Sequence, residues 1–463
     1  MKIKTQNFML IQSINPFNNQ VIQEYELFKE SEINNSLIKG DQIFPQWKKT
    51  PFSERSGLMN QAAGLLEKKK EDLARVITLE MGKIKKEAVA EVEKCAWVCR
   101  YYGENAEEFL KDERLPVESV NSYITFDPLG IILAIMPWNF PFWQVFRFAA
   151  PNIMAGNVGL LKHASNVPQC ALEIEKIFTE AGFPEGVFQT LLIKADQVDR
   201  VIDDGRVKAV TLTGSEFAGI KVAERAGKNL KKTVLELGGS DPFIVLADAD
   251  LEKAVQTGVR ARMINCGQSC IAAKRFILEE KIANEYINGY LDLFRELKQG
   301  DPMEDQTQVG PMAREDLLED LDRQVERSVL EGAHIRHGGK KSGNKGNFYT
   351  PTILTEIRPG MPGFDEELFG PVASMIVVKD AEEAVRMANQ SKFGLGASLW
   401  TKDLEKAGKL AREIESGSVF VNAMVASHPK VPFGGVKSSG YGRELSHLGI
   451  REFMNIKSVW IEN

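Results

Sequence analysis

The sequence predicts an α/β fold built from two parallel-sheet units in series. Three observations carry that prediction: short apolar runs without polar alternation, helical stretches between them, and a glycine-rich break midway. The first set of runs is Ile131–Met136, Val158–Leu161, Phe188–Ile193, Ala209–Leu212 and Val234–Leu237. The second is Phe243–Leu246, Arg275–Leu278, Met375–Val378, Ala397–Trp400 and Val419–Asn422. Strands that do not alternate are buried on both faces, as happens when crossover helices cover a parallel sheet. The break Leu237-Gly238-Gly239-Ser240-Asp241-Pro242 is the natural boundary between the units.

The elements follow in order from local signals. From Ser53 to about Leu110, apolar residues recur at three- and four-residue steps (Leu58, Ala62, Leu65, Leu66, Leu73, Val76, Ile77), with Ser53 as the expected N-cap. A further helix places Ala88, Val92, Cys95, Ala96 and Cys99 on one face, which makes those two cysteines packing residues. Residues 113–128 read as an extended arm, from Leu115-Pro116-Val117 through Ser122–Phe126 to Asp127-Pro128. Helices are expected at Ala171–Ala181, closed by Gly182, and at Asp250–Met263 and Glu382–Asn389. The tail Phe453–Ile461 is strand-like again and suited to pair with the arm.

Composition narrows the function classes. The chain has 463 residues, 43% hydrophobic and 26% charged, with a net charge of −6, an ordinary globular balance that argues against a nucleic-acid or membrane-surface protein. The N-terminal run from Met1 to Ile11 is too short for a signal peptide, and nothing approaches the roughly 18 apolar residues of a membrane span. Five cysteines, few and odd in number, suit a reducing cytoplasm. No Cys/His spacing suggests a metal site, and the scattered histidines supply no base for Ser-His-Asp chemistry.

The chemistry concentrates at Asn265-Cys266-Gly267-Gln268-Ser269-Cys270, a glycine-containing bend followed by the helix-compatible run Ile271-Ala272-Ala273. An exposed turn with free N–H groups in a dry pocket turns a thiol into a nucleophile; the alternative is a buried thiol acting as a small hydrophobe. No Gly-x-Gly-x-x-Gly fingerprint follows a strand, since Gly394-x-Gly396 meets Leu399 at its third position. The nearest substitute is Thr213-Gly214-Ser215, directly after a strand, whose turn opens a helix able to face a cofactor phosphate.

Taken together, these pieces resemble the NAD(P)-dependent aldehyde dehydrogenase superfamily over nearly the whole chain. The motifs, in family order, are Pro137-Trp138-Asn139-Phe140-Pro141, Lys162-His163-Ala164-Ser165, Thr213-Gly214-Ser215, Leu235-Glu236-Leu237-Gly238-Gly239, Gly267-Gln268-Ser269-Cys270, Glu367-Leu368-Phe369-Gly370-Pro371 and Pro432-Phe433-Gly434-Gly435. Gly182–Phe188 and Gly440-Tyr441-Gly442-Arg443-Glu444 are similar to the succinate-semialdehyde dehydrogenase branch. The resemblance implies a variant Rossmann cofactor domain (1–112 and 129–238), an α/β catalytic domain (239–442) and an oligomerisation arm and tail (113–128 and 443–463). It implies Cys270 as nucleophile, Glu236 as general base, and Asn139 with the Cys270 N–H as oxyanion donors; the other reading of Asn139 is a cap for a helix beginning near Phe140. It further implies that NADP or NAD is held by Met136, Trp138, Lys162, Ser165, Gly214, Ser215, Glu367 and Phe369.

Two departures matter. Many NAD-specific members have Lys-Pro-Ala-Glu where this chain has Lys162-His163-Ala164-Ser165; losing the acid removes repulsion of a 2′-phosphate. Cys266 lies four residues before Cys270, so either a redox disulfide or a packed thiol fits. For the substrate, Arg147 lies slightly over two helical turns beyond Asn139, near Phe140 and Trp143, and resembles the arginine of semialdehyde dehydrogenases. A guanidinium binds a carboxylate in bidentate fashion, so the expected substrate is a small aldehyde with a distal carboxylate. A second arginine of some relatives is Ile264 here, leaving His428 or Lys430, before Pro432-Phe433, to supply the missing charge. The expected assembly is a homodimer or homotetramer. A non-enzymatic protein on the same scaffold and a CoA-acylating relative are the alternatives.

Overall fold

A computed structural model describes residues 10–117, 120–343 and 345–462. The N-terminal run Met1–Met9, Glu118 and Ser119 of the arm, Asn344 and Asn463 lie outside the described residues.

Two large sheets organise the chain. The first has six strands in the order Gly440–Tyr441, Lys232–Glu236, Val207–Thr213, Ile131–Met136, Val158–His163 and Phe188–Thr190. Its other five strands run parallel to one another, and Gly440–Tyr441 adds an antiparallel edge. The second has seven strands, in the order His334–His337, Thr352–Thr355, Val372–Val378, Ala273–Glu279, Asp241–Val245, Gly396–Trp400 and Ser418–Val421. All its pairings are parallel except the antiparallel edge strand His334–His337.

The absence of polar alternation has the expected cause. In the central strand of the first sheet, Ile132, Ala134 and Met136 enter one hydrophobic cluster, whereas Ile131 and Leu133 enter another on the opposite face. A third cluster fills the second sheet's layers, from Phe243 and Phe276 to Trp400. Both faces of each sheet are therefore covered. The chain passes between the sheets at residues 237–240, after Glu236 ends one strand and before Asp241 begins the next.

The helical stretch read from Ser53 to about Leu110, with its further helix through residues 88–99, consists of three helices, Phe52–Lys68, Lys70–Met81 and Lys85–Phe109. Ser53 is not the N-cap; the helix starts at Phe52 after Pro51, because proline's fixed φ suits a helix entrance. Gly82, at φ 80°, closes the middle helix, a left-handed position that glycine reaches without steric cost. The run after Cys270 is a turn leading into the Ala273–Glu279 strand rather than a helix; pairing with strands on both sides overrides its local propensity. The N-terminal hairpin Leu10–Asn15 with Gln20–Glu26, and the helix Glu30–Trp47, carried no distinct sequence signal.

Arm and tail do meet. Val120–Pro128 pairs antiparallel with Met454–Glu462 across their full lengths, from Met454 opposite Pro128 to Glu462 opposite Val120. With Glu113–Arg114 they form a three-stranded sheet whose outer strand is the tail. Among the described residues no helix is long and apolar enough to cross a membrane.

Candidate active site

The segment joining the two sheets reaches Cys270, since a Cβ at Gly239 would stand 2.7 Å from the Cys270 carbonyl oxygen. Its loop is fixed by three consecutive left-handed residues, Asn265 (φ 53°), Cys266 (φ 55°) and Gly267 (φ 75°). Gly267 leaves no room for a side chain, since a Cβ there would stand 2.2 Å from the Gly370 carbonyl oxygen. The strain at Asn265 is offset by hydrogen bonds. Its N–H donates to the Glu87 carboxylate at 2.8 Å, and its side-chain amide donates to the carbonyls of Asn139 (2.8 Å) and Gln268 (3.1 Å). Gln268 in turn accepts from the Ala313 N–H at 2.9 Å. The loop is thus bolted to three distant segments.

Cys270 is half-buried, whereas Cys266 and the other three cysteines are buried, and all five are free thiols. Burial pushes the Cys270 thiol up to about 12, against the pull of the Lys274 ammonium and the Arg147 guanidinium. Lys274 is buried, and its Nζ donates to the carbonyls of Ser269 and Cys270, both at 2.7 Å. It also pairs with Glu367 at 3.1 Å. Cys266 packs in the core of the second sheet, and burial raises its thiol to about 12 as well. The packed-thiol reading describes it in this structure.

Asn139 is buried and does not cap a helix. The helix begins at Trp143, later than the expected start near Phe140, and its first N–H groups are taken by Glu91 instead. The N–H groups of Phe142 and Trp143 donate to one Glu91 oxygen at 2.9 and 3.0 Å, an acid where the helix dipole favours it. Glu91 is also ion-paired with buried Lys83. Asn139 is free of that duty: its amide donates to the Gln268 carbonyl at 3.0 Å and its oxygen accepts from Gln144 at 3.2 Å. It is therefore held rigidly beside the cysteine loop with a second amide hydrogen to offer.

Glu236 closes its strand, as read from sequence, and is buried with neither carboxylate oxygen hydrogen-bonded. Desolvation raises its pKa well above the usual range; the neighbouring Glu444 carboxyl adds to this and Arg147 and Arg443 oppose it. Glu444 is itself buried and raised by desolvation, with Arg147 holding it down.

Arg147 is no surface charge. It is 2% exposed, forms an ion pair through Nε with Glu444, and reaches Thr213 Oγ1 at 3.3 Å with Nη2. Its guanidinium lies over the Phe433 ring at 4.5 Å. Reciprocal backbone hydrogen bonds between Phe433 and Glu444 (2.8 and 2.7 Å) set both partners around it. Arg147 thus stands among Cys270, Glu236 and Glu444, partly committed to the last of these.

The two candidates for a second cation have these surroundings. His428 lies edge-on against Trp97 at 4.6 Å, and desolvation, with Lys430 and Lys94 nearby, lowers its pKa. It is uncharged at neutral pH. Lys430 is exposed. A further ammonium within electrostatic range of Arg147 belongs to Lys94, a residue with no sequence signal. Its Nζ donates to Ser427 Oγ at 2.8 Å and sits 4.2 Å from the Trp143 ring centre.

The cofactor candidates gather at the carboxyl ends of the first sheet. Met136 is buried at its strand end, and Trp138 meets Phe369 edge-to-face at 5.8 Å. Lys162 is buried, its pKa lowered by desolvation, and no carboxylate pairs with it among the described residues. Ser165 is exposed nearby in sequence. Such a donor set, an unpaired ammonium without a neighbouring acid at position 165, fits a phosphate-bearing ribose. Its neighbour His163 explains the departure from Lys-Pro-Ala-Glu: Nε2 contacts the Pro141 carbonyl at 2.8 Å while Nδ1 accepts from the Ala164 N–H at 2.9 Å. Burial lowers its pKa to about 4, so it is a neutral structural tie. Gly214 opens the turn, and Ser215 caps the helix Glu216–Lys228 by accepting from the Ala218 N–H at 3.3 Å. Glu367 accepts from the Gly239 N–H at 3.1 Å as well as pairing with Lys274. No His/Cys/Asp/Glu cluster suited to a metal occurs among the described residues.

A half-buried thiol, a buried unpartnered carboxyl and an anchored amide thus lie in the residues around the link between two α/β sheets. Residues 3–459 match the aldehyde dehydrogenase family, and the chain belongs to that family. Among curated relatives it is 52% identical to a probable NADP+ succinate-semialdehyde dehydrogenase of Synechocystis, over 98% of this chain and 100% of that one. It is 48% identical to the NADP+ succinate-semialdehyde dehydrogenase of Mycobacterium avium, over 98% and 97% of the two chains. Among solved structures, succinic semialdehyde dehydrogenase from Streptococcus pyogenes, in complex with NADP+, superposes with a TM-score of 0.96 at 38% identity, covering 98% of this chain and all of the other.

Proposed function

We propose that the protein oxidises a short aldehyde bearing a distal carboxylate, with succinic semialdehyde the best fit, to the corresponding acid. The observation that carries this reading is the buried Arg147 guanidinium, ion-paired with Glu444 and within electrostatic reach of both Cys270 and Glu236, with the activities of the named relatives in support. Cys270 adds to the aldehyde carbon, and the oxyanion so formed takes the free hydrogen of the Asn139 amide and the Cys270 N–H. Donors of this kind contribute about 3–4 kcal/mol each in comparable sites. Lys162, Ser165, Gly214, Ser215, Glu367, Phe369, Trp138 and the Met136 backbone would hold NAD(P)+, which would supply the acceptor for the hydride lost when the adduct becomes a thioester. Glu236 then takes a proton from water as that water attacks the thioester carried by Cys270, and the thiolate departs.

The electrostatics suit this order. Burial favours the neutral forms of Cys270 and Glu236, so each releases its proton to solvent before it acts, Cys270 as the thiolate in the addition and Glu236 as the carboxylate in the hydrolysis. Lys274 and Arg147 are the charges that favour the Cys270 thiolate there. The free Lys162 ammonium and the missing acid at position 165 support acceptance of NADP. The tail strand, with Ile456 and Trp460 59% and 57% exposed at a sheet edge, supports a homodimer or homotetramer. The free thiols support a cytoplasmic setting.

The test is an aldehyde panel with NADP+ and NAD+, following reduced cofactor without added CoA. The highest kcat/KM is expected on succinic semialdehyde; a higher value on butanal, the uncharged aldehyde of the same length, would overturn the substrate reading.

A further inference from the structure

We propose that Lys94 is the second cation of the pocket receiving the substrate's distal carboxylate, acting beside Arg147 as a specificity-determining residue. The proposal rests on the preceding reading that the substrate carries such a carboxylate.

Lys83 and Arg147 have carboxylate partners, whereas Lys94 has none among the described residues. On the helix Lys85–Phe109, Glu91 is engaged by Lys83 and by the first N–H groups of the Trp143–Met154 helix. Arg147 has Glu444. Lys94 has no carboxylate among the described residues: its ammonium is held by one hydroxyl, Ser427 at 2.8 Å, and by the face of Trp143 at 4.2 Å. A half-buried ammonium set close to a second cation is unfavourable without an anion. Its position is nevertheless fixed from both sides of the pocket, by the Ser427 loop and by the helix that carries Arg147. Trp143 lies one turn before Arg147 on that helix, so Lys94 and Arg147 flank the same turn. A bound carboxylate completes the pairing. An aldehyde lacking one leaves it incomplete, which is discrimination by an unpaired buried charge.

The groups facing Lys94 are Glu91 and Cys95 on its own helix, Lys83 before it, Arg147 on the neighbouring helix and His428 in the opposite loop. Lys430 lies exposed at the surface of that loop. Burial and Arg147 lower Lys94 to about 8, so its charge is present at neutral pH and lost in mildly alkaline solution. His428 is pushed the other way from that range, below its ordinary 6.5, and stays neutral throughout.

The experiment measures kcat/KM for succinic semialdehyde and for butanal between about pH 7 and about pH 9.5, and takes their ratio. Titration of Cys270 or Glu236 acts on both aldehydes and cancels in the ratio. The wild-type ratio is expected to fall as pH rises through about 8. Lys94→Met should lower it about ten-fold at neutral pH, the scale of one lost charged contact, and flatten its pH dependence. Lys94→Arg should hold the ratio up at alkaline pH. A wild-type preference for the semialdehyde that is flat with pH, or that survives Lys94→Met, overturns the role of Lys94 alone. A wild type without that preference overturns the substrate reading, and this proposal with it. Should Lys94→Met not fold, the wild-type and Lys94→Arg profiles decide the matter.

Discussion

Replacing Arg147 by methionine separates two duties that the structure gives to one side chain. The substitution removes the cation that pairs with buried Glu444 and that opposes the raised pKa of Glu236. Breaking a buried pair from one side costs about 3–5 kcal/mol, mostly because the remaining charge is left unpaired. The cost should depend on pH with a definite sign. Burial already raises Glu444, and Arg147 holds it down; without Arg147 it rises further. A carboxyl whose folded pKa lies above its unfolded value favours the fold in full below the unfolded pKa, and loses that contribution as pH rises through the folded pKa. The deficit of Arg147→Met should therefore be smallest in mildly acidic buffer and grow toward alkaline pH, read as the drop in melting midpoint relative to wild type. Adding Glu444→Gln should restore most of the midpoint, because the stranded charge is gone. It should not restore substrate choice: the semialdehyde-to-butanal ratio of kcat/KM should stay about 10- to 150-fold below wild type, the equivalent of about 1.5–3 kcal/mol for a lost charged contact. A melting deficit that does not change with pH, or a double variant that regains the ratio, would refute the reasoning.

Other outcomes follow from the same geometry. Cys270→Ala should abolish turnover while cofactor still binds, measured by fluorescence titration; substantial steady-state activity would remove the nucleophile. Glu236→Gln should leave a single-turnover burst of reduced cofactor followed by slow turnover, and equal slowing of burst and steady state would deny it the hydrolytic step. Lys274→Met should raise the Cys270 thiol further and slow its alkylation by iodoacetamide at fixed pH, since Lys274 is first among the charges that favour the thiolate; an unchanged alkylation rate would count against this. Ser165→Glu should shift the NADP/NAD efficiency ratio toward NAD, and an unmoved ratio would place the 2′-phosphate elsewhere. Light scattering at micromolar concentration should report a dimer or tetramer; a monomer would contradict the role given to the tail edge.

What the sequence determined by itself was the layered α/β architecture and the motifs that carry the candidate reacting groups. Both are local properties. A strand buried on two faces must be apolar throughout, so runs such as Ile131–Met136 declare themselves without any knowledge of their neighbours. Motifs such as Leu235-Glu236-Leu237-Gly238-Gly239 place a carboxyl at a strand end, where the structure has it. The arm-to-tail pairing was legible for the same reason, both segments being extended and interrupting a helical pattern.

Tertiary structure alone decided how the charges are shared. Lys94, Arg147, Ser427 and Glu444 come from four separate stretches, and nothing in the spacing of Lys94 distinguishes it from a solvated lysine on a helix face. His428 and Lys430 were nearer in sequence to the expected subsite, yet one is turned against Trp97 and the other faces solvent. Ser53 and Asn139 looked like helix caps because capping propensity is a local statistic, whereas Pro51 opens one helix and Glu91, from a different helix, caps the other. The physical reason is common to all of these. Apolar burial is set by residue type and period, but the state of a buried charge depends on which opposite charge the fold brings to it, and that partner is fixed only when the chain has closed.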